Sequence, residues 1–302
     1  MTVQKILKQT YLLPLDLEVL LSYTLKKTRE YIFAHPETRI SDSQLKKLRK
    51  LIERRQKGEP VAYLTGQREF FGLNFLVNKN VLIPRPETEL LVEKALDKIS
   101  KSKESSLQLA VIDVGTGSGN IIISILQNLP AKKRESATFM ALDISKKALS
   151  AARLNAQRHN FGAKVDFAKS DILKFILKNQ KIILNRHLHI AANLPYLRSQ
   201  EYEKCSHEIR KYEPLKALIS QNNGLGHYRR LLRQVRKIVS QGVSKKITLY
   251  FEISPWQKKY LIQEIKVNIG RTRTSFFKDL AGRTRLALIE IEAGKLTKKC
   301  LA

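Results

Sequence analysis

Cysteine is almost missing from this 302-residue chain: Cys205 and Cys300 stand far apart, in no CxxC or Cys/His spacing. That spacing excludes a disulfide framework and gives no metal site from cysteine. Long apolar runs are missing as well, with nothing approaching the roughly 20 residues that cross a bilayer, so no membrane segment is expected. The opening run MTVQKILKQTYLLPLDLEVLL is broken by Lys5, Lys8, Asp16 and Glu18, unlike the apolar region of a signal peptide, and the cytoplasm is the expected compartment. Acidic residues are scarce: 27 Asp and Glu face 56 Lys and Arg, a formal net charge of +29. Such a balance suits a polyanionic neighbour. The excess is spread along the chain and not gathered in a tail, so a general basic bias and nonspecific contact with RNA or the ribosome are equally good readings. The length allows one catalytic domain and a smaller partner domain. Nothing in the pattern demands more than a monomer.

From Val3 to about Lys57 apolar residues such as Leu17, Leu20, Leu21 and Leu25, and later Leu45, Leu48, Leu51 and Ile52, recur at helical spacing. Helix starts are marked at Pro14-Leu15-Asp16 and Ser41-Asp42-Ser43, where short polar side chains can cap free amides. A small helical domain over residues 1–60 is expected. From Val61 to Ile83 the chain is rich in β-formers and punctuated by Gly66, Gly72 and Asn74, which reads as a β-hairpin linker over 61–86 ending in Pro84-Arg85-Pro86. A helix from Glu87 to about Ser100 and the polar loop KSKESS follow.

Strands and helices then alternate over 87–302. LQLAVIDVG, ATFMALD, AKVDFAKSD, HLHIAANLPY, ITLYFEIS and TRLALIEIE read as strands, with the helices GNIIISILQNL, SKKALSAARLNAQRH and GLGHYRRLLRQVRKIV between them. Such alternation predicts an α/β domain with a mostly parallel sheet covered on both faces. The basic face of the last helix, with Arg229, Arg230, Arg233, Arg236 and Lys237, reads first as a solvated face.

The first of these strands runs into Gly115-Thr116-Gly117-Ser118-Gly119. Glycines there turn the chain sharply and let a ligand lie against main-chain amides. The spacing is GxGxG; the dinucleotide pattern GxGxxG would need a glycine at Asn120. The second strand ends in Asp143, whose carboxylate can accept from both hydroxyls of a ribose, and the third ends in Ser170-Asp171, where an acceptor could meet an exocyclic adenine amine. Either aspartate alone could be a helix cap; their placement after successive strands favours a nucleoside site.

The fourth strand ends in Asn193-Leu194-Pro195-Tyr196. An amide or aryl-amine nitrogen is a poor nucleophile because its lone pair is delocalised. Asn193 can offer its side-chain oxygen to one N–H and Leu194 its main-chain carbonyl to the other, aiming the lone pair at a methyl sulfonium, while Tyr196 covers the planar group. This is catalysis by positioning and directed hydrogen bonds, without base, metal or covalent intermediate.

With EPVAYLTGQREFFGLNF, VLIPRPETELLVEKAL, DVGTGSGN, ALDIS, ANLPY, YEPLKAL and FKDLAGRTRLALIE in this order, the chain resembles the HemK/PrmC family of release factor glutamine N5-methyltransferases over nearly its full length. The stretch Pro84-Arg85-Pro86-Glu87-Thr88-Glu89 is its most discriminating part. The resemblance implies a seven-stranded, Rossmann-like class I methyltransferase domain and an N-terminal helical domain that docks the release factor. It implies that Gly115 to Gly119, Asp143 and Asn193 hold S-adenosyl-L-methionine, that Asp171 or Ile172 lines the adenine pocket, and that Asn193 to Tyr196 hold the glutamine of a Gly-Gly-Gln (GGQ) loop. One departure stands out: the family pattern N-P-P-Y is here N-L-P-Y, which relaxes the restriction on Asn193 and also resembles adenine-N6 methyltransferases of ribosomal RNA. The loop FEISPWQ departs as well, with Ile253-Ser254 where glycine is usual.

Overall fold

The computed structural model describes residues 1–8, 12–102, 108–244, 246–270 and 272–292; Cys300 and most of the KSKESS loop lie outside them. The chain begins with helices α1 (Val3–Lys8), α2 (Pro14–Leu25), α3 (Arg29–Ala34), α4 (Asp42–Gln56) and α5 (Val61–Thr65). Pro14 opens α2 at a position whose N–H would have no helical partner. Ser41 caps α4 in a reciprocal box: its Oγ accepts from Gln44 N at 3.3 Å, and Gln44 Oε1 accepts from Ser41 N at 3.0 Å. Leu17, Leu20, Leu21, Ile32, Leu48 and Leu64 fill one core between these helices.

The stretch from Val61, expected to enter the hairpin directly, is first a helical turn. Pro60 opens it, Gly66 closes it in a left-handed conformation, and burial of Leu64 in the helical core outweighs the β-forming character of Val61, Tyr63 and Thr65. The hairpin proper is β1 (Gln67–Phe70) and β2 (Leu73–Leu76). Its two-residue loop, Phe71-Gly72, has φ of 53° and 73°, the left-handed pair that matches the twist of the flanking strands.

A 3-10 turn over Pro86–Thr88 leads to α6 (Glu89–Lys101). There follow β3 (Leu109–Val114), α7 (Asn120–Asn128), α8 (Ala131–Ser136), β4 (Thr138–Asp143), α9 (Lys146–Arg158), β5 (Val165–Lys169), α10 (Lys174–Lys178), β6 (His187–Ala192), α11 (Ser199–Glu203) and α12 (His207–Tyr212). The chain continues through α13 (Gly226–Ser240), β7 (Lys246–Glu252), α14 (Gln257–Asn268), β8 (Arg273–Lys278) and β9 (Thr284–Glu292). The sheet has seven strands in the order β5-β4-β3-β6-β7-β9-β8, the first five parallel and β9 antiparallel to both its neighbours. This is the class I methyltransferase arrangement that the resemblance implied.

Alternate residues of each central strand face opposite cores. Ile112, Leu142, Ile190 and Leu249 pack with α13 and α14, whereas Val111, Phe139, Ala191 and Tyr250 pack with α6 and α7. Each fully buried side chain of this size contributes about 1.5–3 kcal/mol. Helix α14 and the edge strand β8 were not foreseen. Only a few positions of α14 are buried apolar ones, and β8 is half-buried along most of its length, so neither shows a clear period.

One buried residue joins the hairpin to the sheet domain. Asn155 of α9 accepts from Leu76 N at 2.7 Å and donates to the carbonyls of Leu76 at 2.9 Å and Ser118 at 2.8 Å. Replacing it takes the partner from three main-chain groups, the buried Ser118 carbonyl and the partly buried N–H and carbonyl of Leu76. Asn155→Ala is expected to lower the unfolding free energy by about 2–4 kcal/mol, read in urea as a lower midpoint at constant slope.

Candidate active site

Strand order reverses between β3 and β6, and in such sheets ligands lie beyond the carboxyl ends of the strands at that point. A cavity of about 440 Å³ opens there, within the range of small-molecule sites. Its walls bring together Gly115, Thr116, Gly117 and Ser118 of the glycine loop with Asp143, Asp171, Ile172, Asn193, Leu194 and Pro195; Gly119 does not line the cavity but caps α7, packed against Ile123 and Ala152. Residues 79–85 and 214–217 close the other side.

The loop is held from behind. Gly115 N and Thr116 N donate to Leu142 O at 2.8 and 3.0 Å, and Gly117 N donates to Asp143 Oδ2 at 3.0 Å. Gly115, Gly117 and Gly119 have φ of 74°, 54° and 81°, a conformation costly for any residue with a Cβ. A Cβ on Gly115 would also lie 2.9 Å from Leu194 Cδ2. Asp143 Oδ1 accepts from Ser145 N at 2.8 Å. Each carboxylate oxygen therefore keeps acceptor capacity toward the cavity. Burial raises the Asp143 pKa from its ordinary value, against the hydrogen bonds it accepts from the main chain. A cradle of main-chain glycine beside an oriented carboxylate fits the ribose and sulfonium end of S-adenosyl-L-methionine.

Asp171 sits at the rim with its carboxylate already engaged, 2.8 Å from Lys174 Nζ and 3.1 Å from Arg230 Nη1. An adenine amine would have to share that acceptor. The neighbouring Ile172 lines the cavity with φ of 58°, strained for a β-branched residue. Its strain is supported by a local clasp in which Ser170 Oγ donates to Ile172 O at 2.6 Å.

The acceptor motif is split by the fold. Asn193, Leu194 and Pro195 reach the cavity, but Tyr196 is not part of its wall; it packs on the core beneath, where burial and the nearby Glu252 raise its phenol pKa. Asn193 Nδ2 donates to Thr88 Oγ1 at 3.0 Å, and Thr88 Oγ1 donates to Glu252 Oε2 at 2.5 Å. Asn193 Oδ1 takes no hydrogen bond among the described residues. Leu194 occupies the place of the family's first proline. Its N–H, which a proline lacks, donates to Tyr228 OH at 3.4 Å, and its side chain is buried on the glycine loop.

Thr88, Glu252, Tyr228 and His227 were not anticipated. Thr88 lies in the quoted PRPETE run and Glu252 belongs to FEISPWQ, but nothing local says that they meet. His227 lines the cavity, its Nδ1 2.8 Å from Ser220 Oγ, and burial with Arg230 nearby lowers its pKa. The basic face of α13 is partly spent inside the protein: Arg229 pairs with Glu264 at 2.5 Å and Arg230 with Asp171.

This sheet and its ligand-shaped carboxyl edge define a class I, S-adenosyl-L-methionine-dependent methyltransferase. Residues 4–66 match the PrmC N-terminal domain family, and residues 105–247 match a methyltransferase domain family. The chain is 32% identical to the release factor glutamine methyltransferase of Clostridium botulinum over 90% of either chain, and 32% identical to that of Bacillus subtilis over 92% of this chain and 91% of that one. It belongs to the release factor glutamine methyltransferase family. The N-terminal domain of human METTL16 in complex with SAH shares the fold at 15% identity, with a TM-score of 0.52 over 90% of this chain and 93% of that one. No helix among the described residues is long and apolar enough to cross a membrane.

Asp113, fully buried at the end of β3, accepts from Thr116 Oγ1 at 2.7 Å while its Oδ1 has no partner. Burial pushes its pKa from 3.8 up to about 7. The folded chain therefore binds this proton more tightly than the unfolded one, and the stability gained is full below the ordinary value and lost as pH rises through about 7. Thermal melts of wild type and Asp113→Asn between about pH 5 and pH 8 should show the variant gaining on wild type as pH rises. A constant difference would contradict this.

Proposed function

We propose that the protein transfers a methyl group from S-adenosyl-L-methionine to N5 of the glutamine in the GGQ loop of a peptide-chain release factor. The reading rests most on the Asn193 amide, which turns its oxygen away from Thr88 and lines the cavity beside the glycine loop and Asp143. When bound, S-adenosyl-L-methionine supplies an electrophilic methyl group on a sulfonium. The glycine loop and Asp143 would hold its nucleoside, with Ile172 and Asp171 beside the base. Asn193 Oδ1 would accept one N–H of the substrate amide and the Leu194 carbonyl the other, which localises the nitrogen lone pair. Holding the group in place is the main catalytic contribution of such a site. As the bond from nitrogen to the methyl carbon forms, the carbon–sulfur bond would break with its electron pair left on sulfur, and the surplus proton of the nitrogen would pass to solvent.

The helical unit at the N-terminus favours a protein substrate over a flipped adenine. It packs on the segment beyond the acceptor strand, where Arg55 bridges Asp16 at 2.6 Å and Glu208 at 2.8 Å. Leu13, Leu15 and Phe33 leave apolar surface exposed on it, suited to docking a release factor.

Radiolabelled S-adenosyl-L-methionine is to be offered with a release factor, its GGQ Gln→Ala variant, and ribosomal RNA in turn. Label on the factor that disappears in the variant is expected; label on RNA alone would overturn the proposal in favour of adenine-N6 methylation. Asp143→Ala should weaken cofactor binding by about 10–100-fold, the loss of one or two charge-assisted hydrogen bonds. Asn193→Ala should abolish transfer with cofactor affinity nearly kept, as read by calorimetry.

A further inference from the structure

Glu252 ends β7 with only 2% of its surface exposed. A buried carboxylate is costly unless it is paired or hydrogen-bonded, yet Glu252 forms no ion pair among the described residues. The charged and titratable groups around it are Arg285 on β9, Arg85 and Glu87 before α6, and Tyr196 after β6. Arg285 is engaged with Asp279 at 3.0 Å, and Arg85 with Glu213 at 2.5 Å. From α13, the Tyr228 hydroxyl donates to the Glu252 main-chain carbonyl. The carboxylate itself receives the Thr88 hydroxyl at 2.5 Å, and Thr88 receives Asn193 Nδ2 at 3.0 Å.

A hydroxyl has one proton. Once Thr88 gives it to an ionised Glu252, its oxygen can only accept from Asn193, which fixes the amide with NH2 toward Thr88 and oxygen toward the cavity. Without that constraint the amide could turn over and present a donor to a substrate nitrogen that is itself a donor. We propose that Thr88 and Glu252 are positioning residues for methyl transfer, a relay that sets the orientation of the Asn193 amide toward the acceptor nitrogen. The relay deepens the acceptor reading of Asn193 and rests on it. It also gives the Pro86-Glu87-Thr88 turn a chemical role, since the turn carries Thr88 to the far side of the acceptor motif. A protonated Glu252 can also donate to Thr88, which frees the Thr88 proton, and the Asn193 amide can then turn over and accept it through its oxygen. Burial pushes the Glu252 pKa from 4.5 up to about 7, so loss of the relay on acidification falls in an accessible range.

The test is steady-state transfer to the release factor at saturating cofactor, with cofactor affinity measured separately. Thr88→Val keeps shape and removes the hydroxyl. It should lower kcat about 100-fold, the order expected for a misplaced reacting group, with the cofactor Kd changed less than about threefold. Thr88→Ser should restore most of the rate. Wild-type kcat should fall as pH drops below about 7; Glu252→Gln, which keeps an acceptor oxygen and cannot gain a proton, should lose that acid limb. A kcat for Thr88→Val within about twofold of wild type, or an unchanged acid limb in Glu252→Gln, overturns the relay. Asn193→Ala serves as the separating control: if it transfers normally, the acceptor reading itself fails; if it is inactive while Thr88→Val is not, only the relay fails.

Discussion

A parallel sheet covered on both faces leaves its polar chemistry nowhere to go except the strand ends. Every residue of β3 and β6 is buried, and their registers place Val114, Leu142 and Ala192 at one edge. Beyond that edge the backbone can turn, expose amides and carry carboxylates and amides to a common volume. Gly115, Asp143 and Asn193 all stand within one residue of a strand end. The order β4-β3-β6 then makes them neighbours, because the chain runs outward from β3 through β4 to β5 and crosses back to set β6 on the other side of β3. Asp113 is the exception that shows the constraint: drawn one step inside, it holds a proton up to about pH 7.

The segments outside the sheet domain are tied to that edge by side chains with fixed stoichiometry of donors and acceptors. Asn155 holds β2 and the glycine loop together. Glu213 accepts from Ile83 N at 3.3 Å and from Arg85, so the chain entering the PRPETE turn is anchored on the segment that follows α12. Tyr63 OH donates to Val81 O at 2.6 Å, which fastens α5 to the same stretch. These contacts are polar, partly or fully buried and long-range, and each leaves a group unpaired if broken, so the linker behaves as part of the cavity wall and not as a tether.

The sheet, the glycine loop and the placement of Asp143 and Asn193 were legible because each depends on a local signal: an apolar strand, a turn and the residue that ends it. Thr88 and Glu252 were not, since they meet across 164 residues and neither is unusual where it stands. The pairing of Asp171 with Arg230 joins two elements 59 residues apart, and it alters what the aspartate can do for a base. Val61 misled for a different reason. Its neighbours favour strand, and only the fit of Leu64 into the helical core makes them a helix. Local propensity failed where a tertiary contact was stronger.

Leu194 shows how a site absorbs the loss of a rigid residue. Proline would restrict its own φ and that of Asn193 at no cost in donors; leucine frees both and adds an N–H that must be satisfied in a buried place. Tyr228 takes that N–H while its own proton goes to the Glu252 carbonyl. The leucine side chain fills the space that glycine leaves open at position 115. Preorganisation lost from the backbone is thus replaced from two sides, by packing on the glycine loop and by a hydrogen bond from α13. Both reach the same short strand end whose amide Thr88 orients. The acceptor motif is held by its surroundings where its own covalent structure no longer holds it.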